Sequence, residues 1–211
     1  MKKFYLTKFE IFTIIFCLIP ILFGVFCYSE LPENMAIHFN MKNIPDQYAS
    51  KNFVVFGMPV ILTILQVFCC ISSKVRNEKK CGSEKVMILV RLIIPILSFI
   101  TQAVTIAFAL NEDTNISFWI SLTIGLIFII IGNFMPKLRP NTVIGIKFPW
   151  IINNEYVWEK THRFAGLLFI LNGFFIVIMS LLNKSTYGFI FLFATIIFIV
   201  IYSIVIKYKI N

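Results

Sequence analysis

Along the chain, apolar residues come in six long runs separated by polar stretches: Ile11–Tyr28, Phe53–Ile71, Val86–Leu110, Ile116–Phe134, Phe164–Leu182 and Tyr187–Ile206. Each run holds about 18 to 25 residues, enough at a rise of 1.5 Å per residue to cross a hydrocarbon core about 30 Å thick. The last run carries fourteen Phe, Leu, Ile and Val residues and no ionised one. At about −0.3 to −0.6 kcal/mol each they favour insertion by about 4 to 8 kcal/mol. The pattern therefore predicts an all-α integral membrane protein of six transmembrane helices. Pro20 and Pro95 are expected to kink helices whose freed carbonyls are satisfied by neighbours.

Composition agrees, since 59% of the residues are hydrophobic and only 14% are charged. Together the runs take up more than half of the chain, leaving no soluble domain of ordinary size. The amino-terminal "MKK" and the apolar run after it resemble a signal peptide, but the run is long for one, and Phe26 precedes Cys27 where lipoprotein cleavage wants a small residue. A retained span is the reading.

The basic residues set the orientation. Six spans put both termini on one side, together with Lys2, Lys3, Lys8, Lys74, Arg76, Lys79, Lys80, Lys85, Lys137, Arg139, Lys147, Lys160, Arg163, Lys207 and Lys209. The opposite side holds only Lys42, Lys51 and Lys184, and its second loop, "NEDTN", is acidic. The positive-inside rule makes the cation-rich face, and both termini, cytoplasmic. The net charge of +9 then reports topology and contact with anionic membrane lipids, with no direct nucleic-acid partner implied. Arg91 lies inside the third run and has two readings: snorkelling to the headgroups, or pairing with a polar group in the bundle, with Gln102 three turns away on its own helix.

This topology divides the chain into a two-span unit, 1–72, with a structured extracytoplasmic loop at 29–52; a cytoplasmic connector, 73–85; and a four-span unit, 86–211, with a cytoplasmic loop at 135–163. In the first outer loop, "MAIHF" alternates well enough for a short strand, "DQYAS" returns the chain to the membrane, and Asn43 suits a left-handed turn position. A small cap is expected there. In the inner loop, Pro136, Pro140 and Pro149 stop helix, Gly145 permits a tight turn and "TVIGIKF" suits an extended piece. "NNEYVWEKTHRF" then reads as a helix with an Asn cap, and Trp150, Tyr156 and Trp158 as headgroup-depth aromatics. The loop is expected to be re-entrant or interfacial. No internal repeat points to an inverted-repeat transporter.

Chemistry is sparse. Glu155, Glu159 and His162 share a helix face, and "EKTH" is a Glu-x-x-His pattern of the kind di-iron bundles use, but the second such motif and the further carboxylates are missing. Pairing between neighbours, headgroup contact or protein docking fits these residues better. His38 and His162 fall on opposite sides, so they share no site. His38 near Asp46 is expected to form a pair that fixes the cap. Cys17, Cys69 and Cys70 lie in spans, Cys27 near an outer edge and Cys81 inside, so no disulfide framework or metal cluster emerges. Walker, dinucleotide, zincin and serine-hydrolase signatures are absent, and neither a cofactor nor an enzyme is implied.

Two segments carry a resemblance. "LPENMAIHFNMKNIPDQYASK" resembles the outer-loop signature of the SdpI family of bacterial membrane immunity proteins. "GNFMPKLRPNTVIGIKFPW" with the following helix resembles its second signature, matching at Gly132, Asn133, Met135, Pro136, Lys137, Pro140, Asn141, Gly145, Ile146, Pro149, Trp150, Glu155, Val157, Trp158, Thr161, His162, Arg163 and Gly166. The chain departs from the pattern at Ala36 for Pro, Phe39 for Trp, Asn43 for Gly, and Lys147–Phe148 for Arg-Thr. A lysine lacks the bidentate fork of arginine. The resemblance implies a multi-pass protein of the bacterial cell membrane that confers resistance to a secreted, membrane-active peptide, the sporulation-delaying toxin in the founding case. It also implies that a cytoplasmic winged-helix autorepressor is held at the membrane when toxin is bound. Carried onto this chain, the toxin-sensing residues are His38, Asn40, Pro45, Asp46 and Lys51. The cytoplasmic partner surface comprises Asn133, Pro136, Lys137, Pro140, Asn141, Gly145, Lys147, Pro149, Trp150, Glu155, Trp158, His162 and Arg163. The alternative reading is an exporter of a peptide or amphiphile, against which nearly uncharged span interiors weigh.

Overall fold

The structure, a computed structural model, describes residues 5–40, 43–75, 84–111 and 114–209. Lys2, Lys3, Lys42, Cys81, the acidic pair at 112–113 and most of the 73–85 connector lie outside the described residues. Among the described residues, six helices are long and apolar enough to cross a membrane. In chain order the elements are α1 (Lys8–Phe26), a hairpin of β1 (Asn34–Phe39) and β2 (Pro45–Ser50), a π-helical turn (Phe53–Gly57) running into α2 (Met58–Val75), α3 (Glu84–Leu110) and α4 (Ile116–Phe134). A 3-10 turn (Met135–Lys137), the short α5 (Pro149–Ile152), α6 (Glu155–Leu181) and α7 (Ser185–Tyr208) complete it. The protein is thus a multi-pass helical membrane protein. Only 17% of the apolar window of α7 is buried, so its many Phe and Ile side chains face outward, as lipid permits and water does not.

Two helix starts differ from the apolar runs, for one reason. The Thr7 hydroxyl accepts from the Glu10 amide at 3.2 Å, and Glu10 Oε2 accepts from the Thr7 amide at 2.6 Å, a reciprocal capping box that starts α1 before its first apolar run. Likewise Asn154 accepts from the Val157 amide at 3.1 Å and starts α6 at Glu155, well ahead of Phe164. Capping geometry, rather than hydrophobicity, decides where both helices begin.

The chain forms two compact units. The first comprises residues 1–72 and 88–120, so α3 packs with α1, α2 and the hairpin. Helices α1 and α3 run side by side in the same direction: Glu10 meets Arg91, the Ser98 hydroxyl donates to the Cys17 carbonyl at 3.0 Å, and Gly24 lies beside Gln102. Above them Cys27, Leu31, Met35, Val54, Val55 and Ile106 form a buried apolar cluster beneath the hairpin.

The second unit comprises residues 73–87 and 121–211. Here α4 and α6 approach at two glycine pairs, each pair about two turns from the next. A Cβ built on Gly132 would sit 2.7 Å from the Gly166 carbonyl, and one built on Gly173 would sit 2.6 Å from the Gly125 carbonyl. Only glycine allows backbones that close. Helix α7 closes against α6 through the Phe164–Tyr202 stack at 4.1 Å and an Asn172–Thr195 hydrogen bond at 2.8 Å.

Candidate functional site

The hairpin is antiparallel, with Asn34 opposite Ser50, Met35 opposite Ala49 and Ala36 opposite Tyr48; beyond that the register shifts and His38 faces Gln47. Its tip is shaped by Asn40, whose side chain accepts from the Ile44 amide at 3.1 Å, and by Asn43 at φ 59°. The Asn43 carboxamide also reaches the start of α4, where it accepts from the Ser117 hydroxyl at 2.7 Å and from its amide at 3.3 Å. Asn in place of the family's Gly thus keeps the turn and adds a tether. Phe39 meets Phe108 of α3 edge to face at 5.0 Å.

Among the expected outer residues, His38 and Asp46 pair at 2.5 Å with both side chains open to the outside. This is the pair read from the sequence. Lys51 instead ties the base of the hairpin, with its Nζ 2.7 Å from Glu33 and 4.7 Å from the centre of the Tyr28 ring. The hydrogen bond to Glu33 holds its ammonium above the ordinary lysine value. Tyr28 donates to Asn52 beside it. Pro45 sits opposite Phe39 at the strand's start, where a missing N–H costs nothing.

The 135–154 loop is built by side chains that bond to its own backbone. Asn141 accepts from the amides of Val143 and Ile144 at 2.8 and 2.9 Å and donates to the Arg139 carbonyl at 2.6 Å. Lys147 Nζ donates to the Val143 carbonyl at 3.0 Å. No strand forms over "TVIGIKF", because these local bonds and the bend they impose take the place of a ladder. Phe148 stacks on Trp150 at 4.7 Å, and Trp150 donates to the Ser203 hydroxyl of α7 at 3.1 Å. Pro136 packs on Gly166, where an added Cβ would lie 2.9 Å from its ring.

Trp158 and His162 are both buried, at 1% exposure, and this corrects the expectation of a headgroup-depth Trp158. The indole donates to the Leu138 carbonyl at 2.8 Å and its ring stacks on His162 at 3.9 Å. His162 Nε2 accepts from the Ile146 amide at 3.1 Å, which leaves Nδ1 to donate to the Trp158 carbonyl at 2.9 Å and makes the ring a neutral imidazole. Gly145, at φ 116°, closes the arrangement: a Cβ there would lie 2.5 Å from His162 Nε2. The loop is latched to α6 through these contacts. Tyr156, by contrast, is exposed, in keeping with an aromatic at a boundary.

The Glu-x-x-His pattern does not converge. Glu155 and Glu159 are exposed, Glu159 pairs with Arg163 at 3.2 Å, and His162 spends both nitrogens on backbone. Among the described residues no group of three His, Cys, Asp or Glu side chains is placed to hold a metal ion. Of the remaining expected inner residues, Asn133, Pro136, Lys137, Lys147, Pro149 and Arg163 are exposed, Pro140, Gly145 and Trp150 are half-buried, and Asn141 is buried.

Sequence reading missed one constellation, at the other end of α1. Arg91 does not snorkel: its guanidinium lies 3.0 Å from Glu10 Oε1, with the two side chains 11% and 0% exposed. Pairing within the bundle is the outcome, with Glu10 and not Gln102 as the partner. Gln66 of α2 joins them, donating to the Thr13 hydroxyl at 2.9 Å and to the Arg91 carbonyl at 3.0 Å. The available signal was Thr7-x-x-Glu10 directly before an apolar run, which marks a helix start and brings Glu10 into the bundle.

Comparison with known proteins bears on both ends of this arrangement. The family described as SdpI/YfhL protein family matches residues 137–206, covering most of the latched loop with α6 and α7. The family described as Domain of unknown function (DUF1648) matches residues 15–63, covering the hairpin and its flanking helices. The Immunity protein SdpI of Bacillus subtilis (strain 168) is 30% identical over 174 residues, which is 82% of this chain and 82% of that protein. No solved structure matches.

Proposed function

The chain belongs to the SdpI family, and from that premise we propose that it is a non-enzymatic membrane immunity protein, protecting its cell from a secreted, membrane-active peptide toxin. The observation that carries this is the 30% identity to an immunity protein across 82% of both chains. On the orientation given by the positive-inside rule, the hairpin faces outward and receives the toxin, with the His38–Asp46 pair on its open surface. The latched 135–154 loop faces the cytoplasm. Exposed residues of this loop and of the adjoining ends of α4 and α6, Asn133, Lys137, Pro149, Glu155 and Arg163, offer a docking face for a winged-helix autorepressor, held there when toxin is bound. Such a switch requires the toxin to bind two arrangements of the protein with different affinity. The cations of the same side also favour anionic headgroups.

The test is expression in a strain sensitive to the sporulation-delaying toxin, dosed with synthetic peptide. Survival at doses that kill the parent strain is expected; unchanged killing at equal membrane abundance refutes the immunity role. For the repressor, co-expression with the candidate winged-helix protein and fractionation with and without toxin is decisive, toxin-dependent recruitment to the membrane being the expected result.

The exporter reading draws on one observation, the Glu10–Arg91 pair with Gln66 inside the first unit, since ionisable groups within spans mark many transport pathways. Vesicle flux separates the two. Toxin movement that depends on this protein would favour export over binding.

A further inference from the structure

The hairpin has a register that exposes a usable strand edge. The Lys51 amide donates to the Glu33 carbonyl at 2.9 Å, which makes residues 33 and 51 a hydrogen-bonded pair. In an antiparallel ladder such pairs alternate with non-bonded ones. Met35 and Ala49 are then the next bonded pair, and the amide and carbonyl of Tyr48 and the amide of Ser50 point away from β1, while the Ser50 carbonyl enters the helical turn that starts at Lys51. Tyr48 is 59% exposed and Ser50 is exposed, whereas of the outward residues on the other strand Ala36 is buried and only Asn34, at the strand's start, is exposed. The open edge is therefore that of β2. Among the described residues the sheet has two strands, and no third strand pairs with this edge.

Proteins commonly blunt such an edge with a lysine, a proline or a bulge. Here the register shift falls between Ala36 and His38 on the other strand, Pro45 lies at the beginning of β2, and Lys51 beyond its end is turned onto Glu33. From Gln47 to Ser50 no charge and no proline interrupts the edge. Ser50 is held in place because its hydroxyl accepts from the Phe53 amide at 3.3 Å. Ile44, 54% exposed, and Tyr48 add apolar side chains at the same strand. Glu30, Glu33 and Asp46 are exposed around them.

We infer that β2 is a strand-addition site, and that its occupant is an extended segment of the secreted apolar peptide, which adds as a third strand by bonding the outward amide and carbonyl of Tyr48 and the outward amide of Ser50. The inference rests on the immunity reading and specifies how the toxin is recognised: main-chain bonds supply the attachment, and Tyr48 and Ile44 supply the apolar contact. Pairing of β2 with β2 of a second copy is less suited to the edge, since it would bring together two loops in which Glu30, Glu33 and Asp46 outnumber Lys42 and Lys51, whereas an uncharged apolar strand meets no such repulsion.

Tyr48→Pro tests the edge without touching the ladder, because the backbone group it removes, along with the ring, is the outward amide and edge strands accept proline there. Tyr48→Ala keeps the amide and removes the ring. In the sensitive strain dosed with synthetic sporulation-delaying toxin, Tyr48→Pro is expected to lower the tolerated dose by about tenfold, the loss that one backbone hydrogen bond and its neighbour entail, and Tyr48→Ala by less. Full protection by Tyr48→Pro at equal membrane abundance overturns strand addition while leaving immunity standing; failure of the unsubstituted chain to protect removes the premise and the inference with it. A second measurement does not depend on the variant folding. Amide exchange of the purified full chain in detergent should slow at Tyr48 and Ser50 on adding the peptide. No slowing overturns the proposal, and so does slowing that rises with protein concentration in the absence of peptide, which would assign the edge to a second copy.

Discussion

Replacing Glu10 by Gln isolates the charge pair inside the first unit, because Gln at the third helical position still closes the cap with Thr7 while the negative charge is lost. At the 3.0 Å separation from Arg91 the gross attraction is about 5.5 kcal/mol for an effective dielectric of about 20. Desolvation of both ions offsets much of it, so the pair contributes less than this against an apolar replacement. Breaking it is another matter. Glu10→Gln leaves a guanidinium that cannot shed its proton buried among α1, α2 and α3, at a cost of about 3–5 kcal/mol. Arg91→Met should cost less, since the remaining carboxyl keeps the Thr7 amide and hydroxyl as donors at 2.6 and 2.9 Å. The double variant Glu10→Gln with Arg91→Met should return to within about 1 kcal/mol of the parent, because no unpaired charge remains. Equilibrium unfolding of the purified protein in mixed micelles, followed by circular dichroism, measures all three. A Glu10→Gln protein as stable as the parent, or a double variant whose loss equals the sum of the single losses, would refute the reasoning.

Three further outcomes follow from named contacts. Gly132→Ala would gain about 1 kcal/mol of helix propensity at an open position, but its Cβ would lie 2.7 Å from the Gly166 carbonyl, so a net loss of about 1–3 kcal/mol is expected in the same unfolding measurement. Asn43→Gly keeps the positive φ but releases Ser117, which should speed exchange of the Ser117 amide several-fold, while Asn43→Asp preserves the acceptor and the protection. Gly145→Ala combines a φ of 116° with a Cβ 2.5 Å from His162 Nε2, and should unlatch the 135–154 loop, seen as faster limited proteolysis after Lys147 and altered Trp158 fluorescence at unchanged helix content.

How much of this was legible from the residues depends on the range of the forces involved. The six spans were, because a run of about 20 apolar residues states its own environment. So were the strand at "MAIHF", the left-handed Asn43, the His38–Asp46 pair and the Asn154 cap, all set by neighbours within a few positions. Legibility failed where two helices decide together. Arg91 alone fits either snorkelling or pairing, and only the α1–α3 contact places Glu10 opposite it. Trp158 at the edge of a span has the composition of a headgroup anchor, yet the Leu138 carbonyl and the Gly145 turn fold over it. The glycines at 125, 132, 166 and 173 are visible as letters, while their pairing across α4 and α6 is a property of two backbones.

Contacts within the 135–154 loop bear on the proposed partner surface. Lys147 and Phe148, where the chain leaves the family pattern, are engaged within the loop: the ammonium holds the Val143 carbonyl and the ring stacks on Trp150. An ammonium serves single carbonyls as well as a guanidinium does, and a planar ring serves the indole, so both departures keep the loop's shape without needing the bidentate fork. Trp158, His162 and Asn141 likewise direct their polar atoms inward. On the proposed docking role, the open side chains on this face are Asn133, Lys137, Arg139 and the Glu159–Arg163 pair, and none of them takes part in the latch contacts described above. If a repressor docks here as proposed, reversing charge at Lys137 and Arg139 should abolish its toxin-dependent recruitment while leaving toxin resistance at the parental level. Loss of both together would instead mean that the two faces of the protein cannot be separated.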